Sequence, residues 1–574
     1  MHSDLHSTGK LRRLFSSAIL ILIASTSSFA QVGYMKSFEN AAVVSATQQA
    51  SEAGVEILRK GGNAVDAAVA TKFALAVTFP AAGNIGGGGF MVYRAADGTS
   101  ATLDFREMAP AAAHRDMYLD AEGEVVDGLS TYGHLASGVP GTVDGMITAL
   151  EKFGTLPLDV VMEPAIRLAR EGFHLSWREA NALNRNRSRF AHFESSTKYF
   201  TKPEGEQFVE GELFKQEDLA RTLDRIAQQG RDGFYAGETA DYIVAEMQNN
   251  GGIFTHEDLK NYKSVWREPL KVNYRDYELL IMGPPSSGGI AVGQMLKMLE
   301  PYNLKSLGYN TPETVHLITE SMRRVYADRA EFLGDPDYYE VPKNELLTTN
   351  YARERMKSFN PARASRSDEV SHGQPLAWAE SEETTHFSVV DSEGNAVSIT
   401  TTLNGGYGSY VTIGGGGFLM NNEMDDFSIK PGFPNMFGLV GGEANSVQPG
   451  KRMLSSMTPT IVSKNGKLNM ILGTPGGSTI ITTVLQVFLN VAEYGMNIQQ
   501  AVASPRFHHQ WLPDELYFEP FMFNKHTQDR LHWMGHNLSE RGYYTGQADC
   551  ILVTDSGRID TGVDPRGDNY AAGF

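Results

Sequence analysis

The clearest alternation of apolar and polar residues in the chain runs from Glu383 to Asn404. Glu383-Thr384-Thr385-His386-Phe387-Ser388-Val389-Val390 is followed by the polar group Asp391-Ser392-Glu393-Gly394-Asn395, and then by Ala396-Val397-Ser398-Ile399-Thr400-Thr401-Thr402-Leu403-Asn404. Two short β-branched runs bounded by turn residues predict a β-hairpin. A turn centred on Glu393 pairs residues whose numbers sum to roughly 786, which sets Thr384 across from Thr402 on one face. The polar stretch from Ala352 to Glu383 lacks apolar periodicity and reads as an exposed loop. Thr384 then stands where a loop meets a strand.

Helical spacing of Ala50, Ala53, Ile57 and Leu58 predicts a helix stopped by Gly61-Gly62. Asn63, with Asp66 three residues on, caps a second, alanine-rich helix that runs to Val77 and ends before Pro80. Gly83-Asn84-Ile85-Gly86-Gly87-Gly88-Gly89-Phe90 matches neither the dinucleotide pattern nor the Lys-Ser/Thr ending of a phosphate loop. Strands follow at Phe90 to Tyr93 and Ala101 to Phe105, leading to Arg106, which on its residues alone reads better as an ordinary surface ion pair than as a carboxylate fork. From Gly141 to Asn350 the period is mainly helical, with Thr311-Pro312-Glu313 opening one helix, and Leu270 to Met282 reads as strands.

Length suggests several domains, yet no Pro/Gly/Ser linker joins two self-contained halves of the 574 residues. Residues 1–30 stand apart. Lys10, Arg12 and Arg13 precede an apolar run, and Ser28-Phe29-Ala30 follows it, the layout of a cleaved secretory signal. Periplasmic or secreted localisation is the expectation, with a soluble mature protein, because no later apolar stretch is long enough to span a bilayer. Removing that leader takes away three cations and Asp4, and the formal net charge moves from −18 to −20. So acidic a chain is a poor ligand for nucleic acid. The single Cys550 cannot form an internal disulfide and reads as a buried strand residue. His508-His509 would point to opposite faces of a strand, and no metal motif occurs elsewhere, so no metal is expected. Ser195-Ser196-Thr197-Lys198 matches Ser-x-x-Lys without its companion motifs and is read as chance.

A cut before Thr384 would join a hydroxyl nucleophile to a free α-amine in one residue. That amine, with a reference pKa of about 7.7 to 8.0, is neutral often enough to serve as base near neutral pH. On these residues alone, a Thr-Thr pair that merely opens a strand fits better. Further segments change the balance: Leu403-Asn404, Asn421-Asn422-Glu423-Met424-Asp425-Asp426-Phe427-Ser428, Leu454-Ser455-Ser456-Met457-Thr458-Pro459-Thr460 and Gly473-Thr474-Pro475-Gly476-Gly477-Ser478. With the hairpin they closely resemble the gamma-glutamyltranspeptidases, N-terminal nucleophile hydrolases, from near Ala41 to the C-terminus.

The resemblance implies an α+β fold, a four-layer αββα sandwich in which large and small subunits intertwine in one domain. It implies a signal peptide at 1–30, a large subunit at 31–383 and a small subunit at 384–574, made by self-cleavage between Glu383 and Thr384. By the same resemblance Thr384 is the nucleophile and Thr402 orients it, while Gly476 and Gly477 supply the oxyanion hole. Arg106, Ser455 and Ser456 bind the donor α-carboxylate; Asn404, Glu423 and Asp426 hold its α-ammonium. Without the resemblance Glu423 and Asp426 read as a solvated acidic turn. The implied donors are glutathione and other γ-glutamyl compounds, the acceptors water, amino acids or dipeptides, and no cofactor is implied. Pro431 to Gly438 resembles the lid of bacterial members, some of which carry tyrosine where Phe437 stands. Phenylalanine has no hydroxyl to donate, so a looser lid is expected. Two rivals remain: a cephalosporin or glutaryl acylase on the same scaffold, and a non-catalytic exported protein that binds glutamyl peptides.

Overall fold

The computed structural model describes residues 35–371, 384–541 and 544–574. The expected signal peptide and Glu383 lie outside the described residues. Two seven-stranded antiparallel sheets form the centre. The first runs in the order Tyr570–Gly573, Ala42–Ser45, Thr385–Val390, Ala396–Thr402, Gly88–Arg94, Ser100–Asp104, Val265–Arg267. The second runs Ser37–Phe38, Ile559–Val563, Asp549–Val553, Lys467–Leu472, Thr460–Lys464, Tyr277–Ile281, Leu270–Tyr274. Each sheet mixes strands from before and after Thr384, so neither stretch could complete a sheet without the other.

Strand alternation separates the layers. In the first sheet Val43, Met91, Phe387, Val389, Val397 and Ile399 pack on the helices Gln48–Arg59, Ala64–Thr78 and Thr142–Phe153. Ala42, Val44, Phe90, Val92 and Ala396 turn the other way and join the core built around the second sheet's strands Thr460–Lys464 and Lys467–Leu472. Helices Gly288–Leu299, Pro312–Phe332 and Thr479–Ala492 cover that sheet's outer face, which completes four layers, helix, sheet, sheet, helix. The Ala64–Thr78 helix starts on the expected capping box of Asn63 and Asp66, and all fifteen of its residues are buried.

The hairpin pairs Thr385 with Thr401, His386 with Thr400 and Ser388 with Ser398, the register its turn implies. The ladder begins one residue after Thr384. Ser388 and Ser398 both face the second sheet: Ser388 Oγ donates to Asp549 O at 2.8 Å and Ser398 Oγ to Leu472 O at 3.1 Å. Two residues along each strand, His386 bonds Thr400 Oγ1 at 2.9 Å, and its ring fills the space beside Gly473. By the same period Thr384 and Thr402 face the end of the second sheet, where Gly473 leads into Thr474-Pro475-Gly476-Gly477.

Two expectations need correction. The stretch from Ala352 is not wholly an exposed loop: Thr349–Arg355 is helical, and Ser367 and Val370 are buried. Their carbonyls accept from Trp511 Nε1 at 2.9 and 3.1 Å, and Ser367 N donates to Asp514 at 2.8 Å, long-range anchors that local polarity cannot reveal. His508 and His509 do not share a strand, since that strand ends at His508. His508 bonds Thr482 and Gln510, and His509 bonds Asp514. Among the described residues no cluster of His, Cys, Asp and Glu could hold a metal ion, and no helix is long and apolar enough to cross a membrane. Cys550 is buried in the Asp549–Val553 strand, as expected.

Candidate active site

One small cavity is lined by Thr384, Thr402, Asn404, Arg106, Glu423, Asp426, Ser455, Ser456, Phe437 and Gly477. Every site residue expected from sequence borders it except Gly476, which adjoins Gly477, and Glu383, which is not among the described residues. Thr384 immediately precedes the hairpin's first strand and Thr402 ends its second. Thr402 Oγ1 accepts the Asn404 N–H at 2.7 Å, and Asn404 sits at φ +74° with its amide donating to Asn422 O at 3.0 Å.

Gly476 (φ +135°) and Gly477 (φ +52°) form the turn that opens the fourteen-residue helix Thr479–Ala492. These angles favour glycine, and a Cβ on Gly477 would stand 2.7 Å from the Phe437 ring. Backbone N–H groups at a helix N-terminus, with the positive end of its dipole behind them, suit an anion. Phe437 is buried, and its carbonyl accepts from Gln510 Nε2 at 3.1 Å. Gln510 Oε1 in turn accepts from Ser478 Oγ at 2.7 Å, so the expected lid segment and the glycine turn share one anchor.

Sequence treats the carboxylate-binding and ammonium-binding groups as separate, but the structure joins them. Arg106 does not form the surface ion pair that its residues alone suggest: it is completely buried just beyond the Ser100–Asp104 strand, among acids brought in from distant loops. Its Nη1 donates to Glu423 Oε1, its Nη2 to Asp426 Oδ2 at 2.5 Å, and its Nε to Met453 O at 3.3 Å. Burial opposes the guanidinium charge, but Glu423, Asp426 and Glu107 more than offset it and push the Arg106 pKa further up. Burial also raises Glu423 well above the usual carboxylate range, against the pull of Arg106.

Four residues escaped the sequence reading. Glu107 lies beside Arg106, and burial lifts its carboxyl to about 7. Glu107 Oε1 and Glu423 Oε2 are both buried without a hydrogen-bond partner, and burial favours the neutral form of each carboxyl. Arg329, on the Pro312–Phe332 helix, donates to Ser287 Oγ at 3.0 Å and to Ser456 Oγ at 3.2 Å, fixing that hydroxyl. Asn435 donates to Asp426 Oδ1 at 2.9 Å. Asp425 accepts Met436 N–H at 2.8 Å and Ser130 Oγ–H at 2.7 Å, which ties the lid segment down. The adjacency of Glu107 to Arg106 and of Asp425 to Asp426, and the place of Asn435 in the lid-like segment, pointed to three of them; Arg329 gave no local signal.

A threonine hydroxyl just before a strand, a glycine turn at a helix N-terminus and a buried cation among acids suit acyl transfer from a zwitterionic donor. Comparison with known proteins agrees. A glutathione hydrolase proenzyme of Escherichia coli (strain K12) is 47% identical over 533 residues, covering 93% of this chain and 91% of that one. Another, of Pseudomonas sp. (strain A14), is 48% identical over 501 residues, covering 87% of each. Among solved structures, a cephalosporin acylase from Bacillus halodurans matches with TM-score 0.84 at 26% identity, covering 96% of this chain and 98% of that one. Helicobacter pylori gamma-glutamyltranspeptidase matches at TM-score 0.56 and 46% identity, covering 56% of this chain and 93% of that one. The family profile described as Gamma-glutamyltranspeptidase spans residues 50–574, and the chain belongs to that family.

Proposed function

We propose that this protein is an exported γ-glutamyltransferase with glutathione hydrolase activity, made as a precursor that cuts itself between Glu383 and Thr384. The observation that carries this reading is the meeting of Thr384, the Gly477 turn and the Arg106–Glu423–Asp426 cluster at one cavity. Thr384 Oγ attacks the carbonyl of Glu383 and the peptide N leaves as the new α-amine, converting amide to ester. Water then hydrolyses the ester, giving chains 31–383 and 384–574 once the 1–30 leader is removed.

In the mature enzyme the Thr384 α-amine takes the proton of its own hydroxyl, directly or through water. The hydroxyl adds to the γ-carbonyl of glutathione or a related γ-amide, and the N–H groups of Gly476 and Gly477 receive the oxyanion. The tetrahedral intermediate collapses, the leaving amine takes a proton, and a γ-glutamyl ester remains on Thr384. Water completes hydrolysis; the amine of an amino acid or dipeptide completes transfer. Arg106 with Ser455 and Ser456 holds the donor α-carboxylate, and Asn404, Glu423 and Asp426 hold its α-ammonium.

The acylase reading also draws support from a relative: an Acylase ACY 1 proenzyme of Pseudomonas sp. (strain SE83) is 37% identical over 463 residues, covering 80% of each chain. A glutaryl donor has no α-ammonium, however, and would leave the position assigned to that group, beside Asn404, Glu423 and Asp426, empty. The decisive experiment has two parts. A denaturing gel with N-terminal sequencing should give a smaller fragment beginning at Thr384, and Thr384→Ala should leave the precursor whole. Turnover of glutathione, glutamine and glutaryl amides, with and without a dipeptide acceptor, should favour the γ-glutamyl donors; preference for glutaryl amides would replace this reading with the acylase one.

A further inference from the structure

Lys72 stands in the middle of the Ala64–Thr78 helix among alanines, valines and phenylalanine, and is completely buried. Lysine is among the side chains least often found fully buried, because an ammonium without compensation costs several kcal/mol there. A methionine would fill the same volume. The ammonium has a defined target: Nζ donates to the carbonyl O of Asn84, just before the glycine run. The Asn84 side chain carries the contact onward, Nδ2 donating to Ala82 O at 2.7 Å and to Thr402 O at 2.9 Å. Its orientation is fixed by Thr142, whose Oγ1 donates to Asn84 Oδ1 at 3.1 Å. Space around this link is tight: a Cβ on Gly87 would meet Thr402 O at 2.1 Å and Asn84 Oδ1 at 2.7 Å.

We propose that Lys72 is a positioning residue for acyl transfer: its ammonium holds the Asn84 carbonyl, the Asn84 amide holds the Thr402 carbonyl, and Thr402 thereby stays in register opposite Thr384. The inference rests on the roles given above to Thr384 and Thr402. Burial brings the Lys72 pKa down to about 7, with Glu107 pulling it the other way. Glu107, whose carboxyl burial lifts to about 7, loses its proton over the same range and then favours the ammonium. Asp66 and Asp391 serve its first turn, and burial holds His386, on the adjoining strand, neutral with a pKa of about 3. A charge-assisted bond is roughly twice as strong as a neutral one, so the ammonium holds Asn84 more firmly than the neutral amine would.

The test is Lys72→Met in the full-length precursor, followed as self-cleavage rate, kcat and donor KM. The expected result is a fall in kcat of about tenfold with KM within about twofold, the mark of a geometric fault at the reacting groups. A kcat within twofold of wild type overturns the proposal. Should Lys72→Met fail to accumulate as folded protein, Thr142→Val decides, since it is isosteric and only frees the Asn84 amide. It should lower kcat several-fold at unchanged KM, and an unchanged kcat overturns the chain of contacts. Thr384→Ala, run alongside, separates the two levels. If it remains active the catalytic reading fails, and if it is dead while Lys72→Met is unaffected only this inference fails.

Discussion

Arg106 and Asp426 are bonded directly, Nη2 to Oδ2 at 2.5 Å. The group read as holding a donor carboxylate and one read as holding its ammonium therefore position each other. Hydrogen bonds to charged groups contribute about 1.5 to 3 kcal/mol, so Arg106→Gln or Asp426→Asn should each raise donor KM about ten- to a hundredfold. Since either change disrupts the same pair, the double variant should be less impaired than the product of the two, with a coupling of about 0.5 to 3 kcal/mol. Donor KM across the four-member cycle measures it; strictly multiplicative effects would mean the two groups act separately.

Gly477 and Phe437 give a second test. A Cβ at Gly477 would press on the Phe437 ring at 2.7 Å and would sit on a backbone with φ +52°. Gly477→Ala should shift the N–H groups assigned above to the oxyanion, lowering kcat by about a hundred- to a thousandfold. The ring is already buried, so the looser lid expected from the missing hydroxyl does not arise from poor packing. Phe437→Tyr should lower donor KM by adding a hydrogen-bond donor at the cavity rim, and a steady-state comparison in which KM is unchanged or raised would refute that.

Cys550 should be chemically silent. It is buried in the second sheet, and burial raises its thiol to about 12. Only the thiolate reacts, so a thiol reagent at neutral pH should titrate no group in the folded protein and one in denaturant. Labelling at a rate typical of a free thiol would mean that the strand opens locally.

The hairpin was legible because period-two alternation and a five-residue polar turn fix both face and register within twenty residues. The first two helices were legible for a similar reason, since their caps are local. The motif segments carrying Asn404, Glu423, Asp426, Ser455 and Ser456 were visible as sequence, but their convergence depends on loops that cross between two sheets. Arg329 shows the limit: it reaches Ser456 across more than a hundred residues of chain, and nothing in its helical neighbourhood sets it apart from Arg323 or Arg324. Lys72 was passed over because an alanine-rich helix was read only for its packing.

Asp425 offers a test in which the sign of the pH effect matters. Burial raises its carboxyl to about 6 although it accepts bonds from Met436 N and Ser130 Oγ. A carboxyl whose folded pKa lies above its unfolded value of 3.8 stabilises the fold below that value, and the benefit is lost as pH climbs to about 6. Asparagine can keep both contacts, its oxygen accepting from Met436 and its NH₂ donating to the freely rotating Ser130 hydroxyl. Asp425→Asn should therefore leave donor KM within about twofold and flatten the decline in stability between pH 3.8 and about 6, seen in thermal melts. Asp425→Ala should instead free the Met436 N–H, loosen the lid segment and raise donor KM several-fold. If asparagine proves as damaging as alanine, the negative charge rather than the tether is what the lid requires.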